Sequence, residues 1–131
     1  MSRAGFLDPL LKRGAPPQAL VNVTRGTVVA GDLEAAFDSA SRKQGLLGRD
    51  GLGDGRALVI APCSGVHTFF MRFPIDVLFV GRDGRVKKAS PSIAPWRLAL
   101  RPGSFAVVEG AAGMIERSGT RPGDQVALRD R

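Results

Sequence analysis

Several residue types are scarce in this chain of 131 residues, and each scarcity excludes a class of structure. The sequence has one cysteine, one histidine, one tryptophan and no tyrosine. A single cysteine cannot form an internal disulfide, and one cysteine with one histidine supplies only two of the ligands that zinc prefers. A zinc site would need Asp76 and Glu109 to complete it. We therefore expect no metal, and no motif in the sequence predicts a cofactor.

Long hydrophobic runs are also missing. No stretch reaches the roughly 18 consecutive apolar residues that a membrane-spanning helix needs, so we expect no membrane partner. The opening residues, Met1–Phe6, lack the apolar run and small-residue cleavage site of a secretory signal. Together with the single cysteine, this predicts a cytoplasmic protein.

Acidic residues are fewer than basic ones, 12 against 19, which gives a net charge of +7. Clustered cations favour nucleic acid because they release counterions from phosphate groups. The densest group lies in Arg82–Lys88, which is predicted to be a hairpin, and exposed cations on a hairpin also prevent edge-to-edge pairing of strands. Weak nucleic-acid binding through Arg82–Lys88 is therefore a second alternative, and we regard it as the less favoured interpretation.

The residues that are abundant point to a β-rich fold. Short alternating or β-branched segments are separated by turns rich in the 17 glycines and 9 prolines, which is typical of strands. Helix signals occur after Phe37 and near Ala112. We predict an α+β, β-rich fold in which mainly antiparallel strands form a small half-closed barrel or sandwich with one or two short helices.

The chain is long enough for one hydrophobic core. Residues 1–18 are predicted to form a flexible N-terminal arm because Gly14, Pro16 and Pro17 interrupt them, and residues 19–131 are predicted to form a single domain. Four apolar residues of the arm nevertheless have near-helical spacing and could dock as a short amphipathic turn. These are Phe6, Leu7, Leu10 and Leu11.

The stretch Cys63–Val80 contains the only cysteine, the only histidine and four of the seven phenylalanines. An imidazole near a thiol can draw its proton, which would make Cys63 and His67 the catalytic pair of a hydrolase or redox enzyme. In an extended strand these residues would stand roughly 13 Å apart, so only a bend at Ser64–Gly65 would bring them together. This enzyme is the first alternative; we favour a buried structural cysteine and a hydrogen-bonded histidine.

A lone acid interrupts the apolar run that follows. Asp76 would need a paired cation or several donors if buried, and Arg42 or Arg49 could supply a two-pronged ion pair. That pair would either fix the helix against the sheet or form one wall of a pocket. Glu109 and Asp124 have simpler explanations, as the cap of a following turn and as an acceptor within its own turn.

Four motifs occur in the order found in a known family. They are Gly45-Leu46-Leu47-Gly48-Arg49, Thr68-Phe69-Phe70-Met71-Arg72, Ile75-Asp76-Val77-Leu78-Phe79, and Val107-Val108-Glu109 followed by Gly123-Asp124. In these motifs the chain resembles the DUF192 family, also called UPF0127, over residues 20–128. Leu47 replaces the usual methionine. Where many relatives have Phe-Trp-Met-Lys-Asn-Thr before a longer run to the aspartate, this chain has Phe69–Pro74, so roles of that Asn-Thr pair do not carry over. The resemblance implies a compact β-rich α+β domain of unestablished activity.

We expect a binding or accessory module in preference to an enzyme. Aromatic and thioether walls around a few polar groups are how sites for small ligands are commonly built. The ligand would be a small molecule or an extended peptide. The expected ligand-binding residues are Arg49, His67, Thr68, Phe70, Met71, Arg72 and Asp76.

Overall fold

This computed structural model describes residues 5–11 and 17–131. These ranges contain ten strands and three short helices. The strands are β1 (Gln18–Asn22), β2 (Thr27–Ala30), β3 (Asp32–Ala36), β4 (Arg56–Ile60), β5 (Gly65–His67), β6 (Ile75–Val80), β7 (Val86–Ile93), β8 (Leu98–Leu100), β9 (Ala106–Ala111) and β10 (Val126–Asp130). The helices are α1 (Asp8–Leu11), α2 (Ser39–Gln44) and α3 (Met114–Ser118). The predicted β-rich α+β class is confirmed, with one helix more than expected.

A five-stranded sheet forms the centre of the fold, in the order β3-β4-β9-β6-β7. Only β3 and β4 run parallel; the other neighbours in this sheet are antiparallel. All six residues of β6 are buried, because this strand lies between two others and is covered on both faces. A strand covered on both faces is expected to be almost continuously apolar, and in β6 only Asp76 departs from that rule.

The second sheet, β10-β1-β2, packs on one face of the first. The hydrophobic residues between the two sheets form the first core, which includes Leu20, Val59, Leu78, Val108 and Val126. The arrangement is a sandwich and not a closed barrel.

A second core covers the opposite face of the five-stranded sheet. Ile60, Phe79 and Val107 point into it from the sheet. A separate two-stranded ribbon of β5 and β8 lies over this face, with Val66 and Ala99 packed inward. The candidate site lies on this side of the sheet.

The N-terminal segment packs against the domain where it is described. The amide of Phe6 donates to the carbonyl of Arg82 at 3.0 Å, and Leu7 is only 2% exposed within the first core. Residues 5–11 thus form the short docked turn that their apolar spacing allowed, and in these residues the structure differs from the flexible arm expected over residues 1–18. Residues 1–4 and 12–16 of that arm lie outside the described ranges. Within those ranges no helix is long and apolar enough to cross a membrane.

Candidate functional site

A cavity of about 140 Å³ opens between the end of α2, the start of β5 and the five-stranded sheet. Leu46, Ile60 and Met71 are buried hydrophobic residues that line it. Its polar lining comes from Glu109 and Cys63, with His67, Arg42 and Lys43 on the more exposed side.

The turn after α2 gives the cavity one of its walls. Asp38 caps the helix by accepting the amide of Ser41 at 2.8 Å, and Gly45 ends it with a φ of 49°. Glycine suits this position because other residues avoid positive φ. A Cβ at Gly45 would lie 3.7 Å from Oε1 of Glu109, so the backbone of the turn passes close to that carboxyl. Leu46 follows directly and is buried against the second core.

Glu109 is the buried acid of this cavity. It lies on β9 directly opposite Leu58 of β4 and Val77 of β6, so its side chain shares the face of the second core. It is 6% exposed and receives no hydrogen bond from any residue in the described ranges. Burial raises the pKa of Glu109 to about 7, although the charge of Arg49 acts in the opposite direction. Near neutral pH the carboxyl can therefore either accept or donate a hydrogen bond.

Arg49 binds a different acid from the one expected. Its guanidinium contacts both carboxylate oxygens of Glu34, at 2.9 and 3.3 Å. This hydrogen bonding lowers the pKa of Glu34. Glu34 and Glu109 lie on either side of Leu58 across three neighbouring strands, which explains why the charge of Arg49 also reaches Glu109.

Asp76 is fully buried and takes its hydrogen bonds from the backbone. One carboxylate oxygen accepts from the amide of Ser92 at 2.8 Å, and the other accepts from Gly113 at 3.2 Å and Ile115 at 2.8 Å. The expectation that Asp76 pairs with Arg42 or Arg49 is therefore wrong. Successive residues of a strand point to opposite faces, so Asp76 faces away from the cavity while its neighbour faces the second core. It fixes the start of α3 and the end of β7.

The other predicted ligand residues separate into two groups. His67 and Met71 line the cavity, whereas Arg49, Thr68, Phe70, Arg72 and Asp76 are not among its lining residues. Buried Thr68 holds two loops together: its hydroxyl donates to the carbonyl of Ala94 at 2.7 Å and accepts from the amide of Arg97 at 2.8 Å. The structure thus does not bring the predicted set together at one place.

Arg72 and Phe70 both lie on the surface. Arg72 forms an exposed ion pair with Asp50, and Phe70 is 72% exposed with a φ of 65°.

Cys63 and His67 line the same cavity without contacting each other through a hydrogen bond. The thiol of Cys63 donates to the carbonyl of Gly65 at 3.0 Å, while the imidazole of His67 stacks on Phe69 with ring centres 5.1 Å apart. Asp76 cannot orient the imidazole because its oxygens are bound to backbone amides on the other face. The three residues do not form a nucleophile, base and acid arrangement.

Asp124 has the local role that was expected of it. It accepts the amide of Arg121 in its own turn at 3.0 Å, and it also binds Asn22 and the guanidinium of Arg25. These contacts, with Arg25 the largest contributor, lower the pKa of Asp124 to about 2. It stabilises the junction between the β1–β2 turn and the chain before β10.

Most cations of the Arg82–Lys88 hairpin contact the protein itself. Arg82 lies 4.0 Å from the ring centre of Phe105, Arg85 donates to the carbonyl of Gly123, and Lys88 donates to the carbonyl of Leu100 at 3.0 Å. Nucleic-acid binding through this hairpin stays an untested prediction. No group of three or more His, Cys, Asp or Glu side chains suited to a metal occurs within residues 5–11 and 17–131.

The sequence analysis did not predict that Glu109 lines a cavity. The feature that could have indicated it is the one that drew attention to Asp76, a single acid inside an apolar strand, here Ala106–Ala111. Which of the two acids faces a cavity depends on the pairing of β9 with β4 and β6, and that pairing joins residues far apart in the chain.

Together the two-sheet sandwich, the glycine-ended helix α2 and the buried acid of β9 define a small β-rich domain with an acid-lined cavity. The chain belongs to the DUF192 family, described as "Uncharacterized ACR", whose family model matches residues 20–128. No curated protein matches it.

Two solved structures are similar. One is a protein of unknown function from Novosphingobium aromaticivorans, with 29% sequence identity and a TM-score of 0.71, over 84% of this chain and 82% of that one. The other, from Sinorhizobium meliloti, is described as a proposed transcription regulator. It has 22% identity and a TM-score of 0.73, over 86% of this chain and 92% of its own. At that identity the second structure is evidence for the fold alone.

Proposed function

We propose that this protein is a non-enzymatic binding module whose cavity beside α2 holds the head group of a small molecule or the end group of a peptide. The head group is one that donates hydrogen bonds. We take an amine that reaches Glu109 past Arg42 and Lys43, which line the exposed side of the cavity. The observation that supports this proposal is the carboxyl of Glu109, which lines the cavity, is 6% exposed and receives no hydrogen bond from the described residues.

A largely buried carboxyl without a hydrogen bond from the described residues is a natural anchor for a ligand. Its oxygens are not sealed from solvent, since among the described residues the fully buried polar side-chain atom without a partner is Oγ of Ser104. A donor that enters the cavity adds a hydrogen bond worth about 0.5–1.5 kcal/mol, and more when one group is charged. Asp76 offers no comparable position because it already accepts three backbone amides.

The size and lining of the cavity restrict the ligand further. Apolar cavities of about 150 Å³ hold molecules as large as benzene, so a cavity of about 140 Å³ suits a head group of only a few heavy atoms. Leu46, Ile60 and Met71 offer apolar contacts to a short carbon chain, while Glu109 offers the acceptor. A short alkylammonium ion has this combination of parts.

The charge of Glu109 makes the proposal sensitive to pH. An alkylammonium ion keeps its proton below about pH 10, and it binds the ionised carboxylate more strongly than the neutral acid. With the pKa of Glu109 at about 7, its affinity should rise as the pH increases from 5.5 to 8 and then level off. A neutral alcohol of the same size should show a much weaker pH dependence.

Propylammonium and propanol are suitable probes. Their binding is measured by shifts of the Gly45 and Leu46 amide signals in NMR spectra, and by protection of Cys63 from iodoacetamide, since that thiol lines the same cavity. We expect Glu109→Gln to weaken propylammonium binding at pH 8 by about tenfold or more. The matched control is Glu116→Gln, which changes an exposed acid of α3 and should leave binding unchanged.

Two results would contradict the proposal. One is the absence of any shift at the cavity with either probe at high concentration. The other is equal binding of propylammonium to the Glu109→Gln variant and to the unchanged protein. The structure gives no comparable support to the Cys63 and His67 enzyme, because the thiol donates to Gly65 and no hydrogen bond joins the two side chains.

A further inference from the structure

Exposed hydrophobic side chains are concentrated at one place on the surface. In the part of the chain that the structure describes, five of the eight exposed large hydrophobic residues lie on the β5–β8 ribbon or beside it. We call these five residues the apolar tip; they are Phe69, Phe70, Trp96, Leu98 and Leu100. Phe70 and Leu98 have the largest exposed fractions, 72% and 62%. A contiguous patch of this kind commonly marks an interaction surface.

The ribbon shows that this exposure does not result from incomplete packing. Its register pairs Val66 with Ala99 and His67 with Leu98. Val66 and Ala99 pack inward on the second core, so Leu98 and Leu100 face outward. The solvent face of an antiparallel strand normally carries polar residues, and here it carries leucines.

The two aromatic residues at the end of the ribbon are held outward by the backbone. Phe70 and Trp96 both have positive φ, 65° and 67°, a conformation that residues with side chains avoid. Buried Thr68 fixes both, because its carbonyl accepts the amides of Met71 at 3.2 Å and Trp96 at 2.9 Å. Backbone strain of this kind is often found at functional positions.

The charged residues next to the apolar tip are mostly basic. Arg97 and Arg101 flank β8, and Lys88 donates a hydrogen bond to the carbonyl of Leu100. Arg97 lies beside Trp96 in sequence, and Arg72 follows Phe70 by two residues. Arg72 is paired with Asp50. The partner of the tip should therefore carry negative charge together with apolar groups.

One class of anionic partner fits this surface poorly. Nucleobases bind by stacking on free ring faces, but Phe69 stacks on both His67 and Trp96, and Trp96 also contacts Phe70 at 4.6 Å between ring centres.

We propose that the apolar tip docks on the surface of an anionic lipid bilayer. Phe70, Trp96 and Leu98 enter the interfacial layer, and the surrounding arginines contact lipid phosphates. Aromatic side chains favour that layer, and each basic residue near an anionic surface adds to the attraction. This contact lies on the surface and needs no membrane-spanning segment. It does not use Glu109, although His67 lines the cavity and stacks on Phe69 of the tip.

Trp96 makes the test direct, because the chain has one tryptophan and no tyrosine. Its fluorescence is recorded with vesicles of phosphatidylcholine and with vesicles that also contain phosphatidylglycerol. With the anionic vesicles we expect a blue shift and a partition coefficient at least about tenfold above that for neutral vesicles, decreasing with added salt. Phe70→Ser keeps the reporter and should lower partitioning by about tenfold. The matched control is Val23→Ser, which removes an exposed hydrophobic residue elsewhere and should change nothing.

Several outcomes would overturn the proposal. One is an unchanged Trp96 spectrum with both kinds of vesicle. Another is partitioning that does not respond to Phe70→Ser. A spectral change caused by single-stranded oligonucleotides instead of vesicles would identify nucleic acid as the partner, and one caused by protein concentration alone would identify a second copy of the chain. Glu109→Gln should bind vesicles like the unchanged protein, so the two proposals can fail separately.

Discussion

Asp76 and Glu109 are both buried acids of the same five-stranded sheet, yet their surroundings differ completely. Asp76 faces the side of α3 and accepts three backbone amides. Glu109 faces the second core, lines a cavity and accepts no hydrogen bond from the described residues. The first acid has its partners within the fold, whereas the second has no hydrogen-bond partner among the described residues and faces the cavity. A buried acid therefore indicates a binding site only when its partners are missing and a cavity adjoins it.

The largest effect should follow from removing the bonded acid. Asp76→Ala leaves three backbone amides without an acceptor, and we expect it to lower the free energy of unfolding by about 3–5 kcal/mol. Urea unfolding followed by circular dichroism measures this loss. Asp76→Asn retains one acceptor oxygen and should be less damaging. A loss below about 1 kcal/mol for the alanine variant would mean that Asp76 does not anchor α3.

Replacing Glu109 should raise the stability of the protein at high pH, whereas replacing Asp76 lowers it. Its pKa is raised from 4.5 to about 7 in the folded protein, so folding favours the neutral acid. The resulting contribution to stability is fully present below pH 4.5 and is lost as the pH rises through 7. Glu109→Gln stays neutral and should be more stable than the unchanged protein by roughly 3 kcal/mol at pH 8, with little difference at pH 4.5. A Glu109→Gln variant that is less stable at pH 8 would show that the carboxylate has a partner.

Asp124 is a third buried acid, and its partner is the cation Arg25. Its pKa is lowered to about 2, chiefly by the hydrogen bond from Arg25, so its contribution is present above pH 3.8 and is lost as the pH falls through 2. We expect Asp124→Asn to reduce stability at pH 7 by about 2 kcal/mol. The pH dependence of urea unfolding gives the check: the deficit should shrink toward pH 2, and a deficit that is constant with pH would refute the role of charge.

The smallest effect concerns the thiol beside the cavity. Because no hydrogen bond joins Cys63 to His67, we expect His67→Ala to change the rate of Cys63 alkylation by less than about twofold between pH 6 and 9. Iodoacetamide labelling measured by mass spectrometry is sufficient. A tenfold slower reaction in His67→Ala near neutral pH would instead support the Cys63 and His67 enzyme.

Local features of the sequence were enough to predict the fold class. The apolar run of β6 and the cap of α2 at Asp38 are each set by residues close together in the chain. The ion pair between Arg49 and Glu34 could not be predicted from neighbouring residues. It forms because β3 runs parallel to β4, a pairing between strands separated by α2 and a glycine-rich loop.

The candidate site was only partly predictable for the same reason. His67 and Met71 do line the cavity, since they follow each other closely around a single bend. Phe70 and Thr68 lie between them in sequence but face other directions, because positive φ at Phe70 turns the chain outward. Glu109 reaches the cavity through the pairing of β9 with β4 and β6. Strand pairing between distant segments, and not residue type, decides which acid faces the cavity.

The titration of Glu109 itself shows whether this acid lacks a partner in the free protein and gains one when an ammonium ion enters the cavity. The side-chain carboxyl of Glu109 can be followed by ¹³C NMR from pH 4 to 9, alone and with saturating propylammonium, with assignment from Glu109→Gln. We expect a pKa of about 7 in the free protein that falls when the ammonium binds. A pKa near the ordinary 4.5, unchanged by propylammonium, would contradict this expectation.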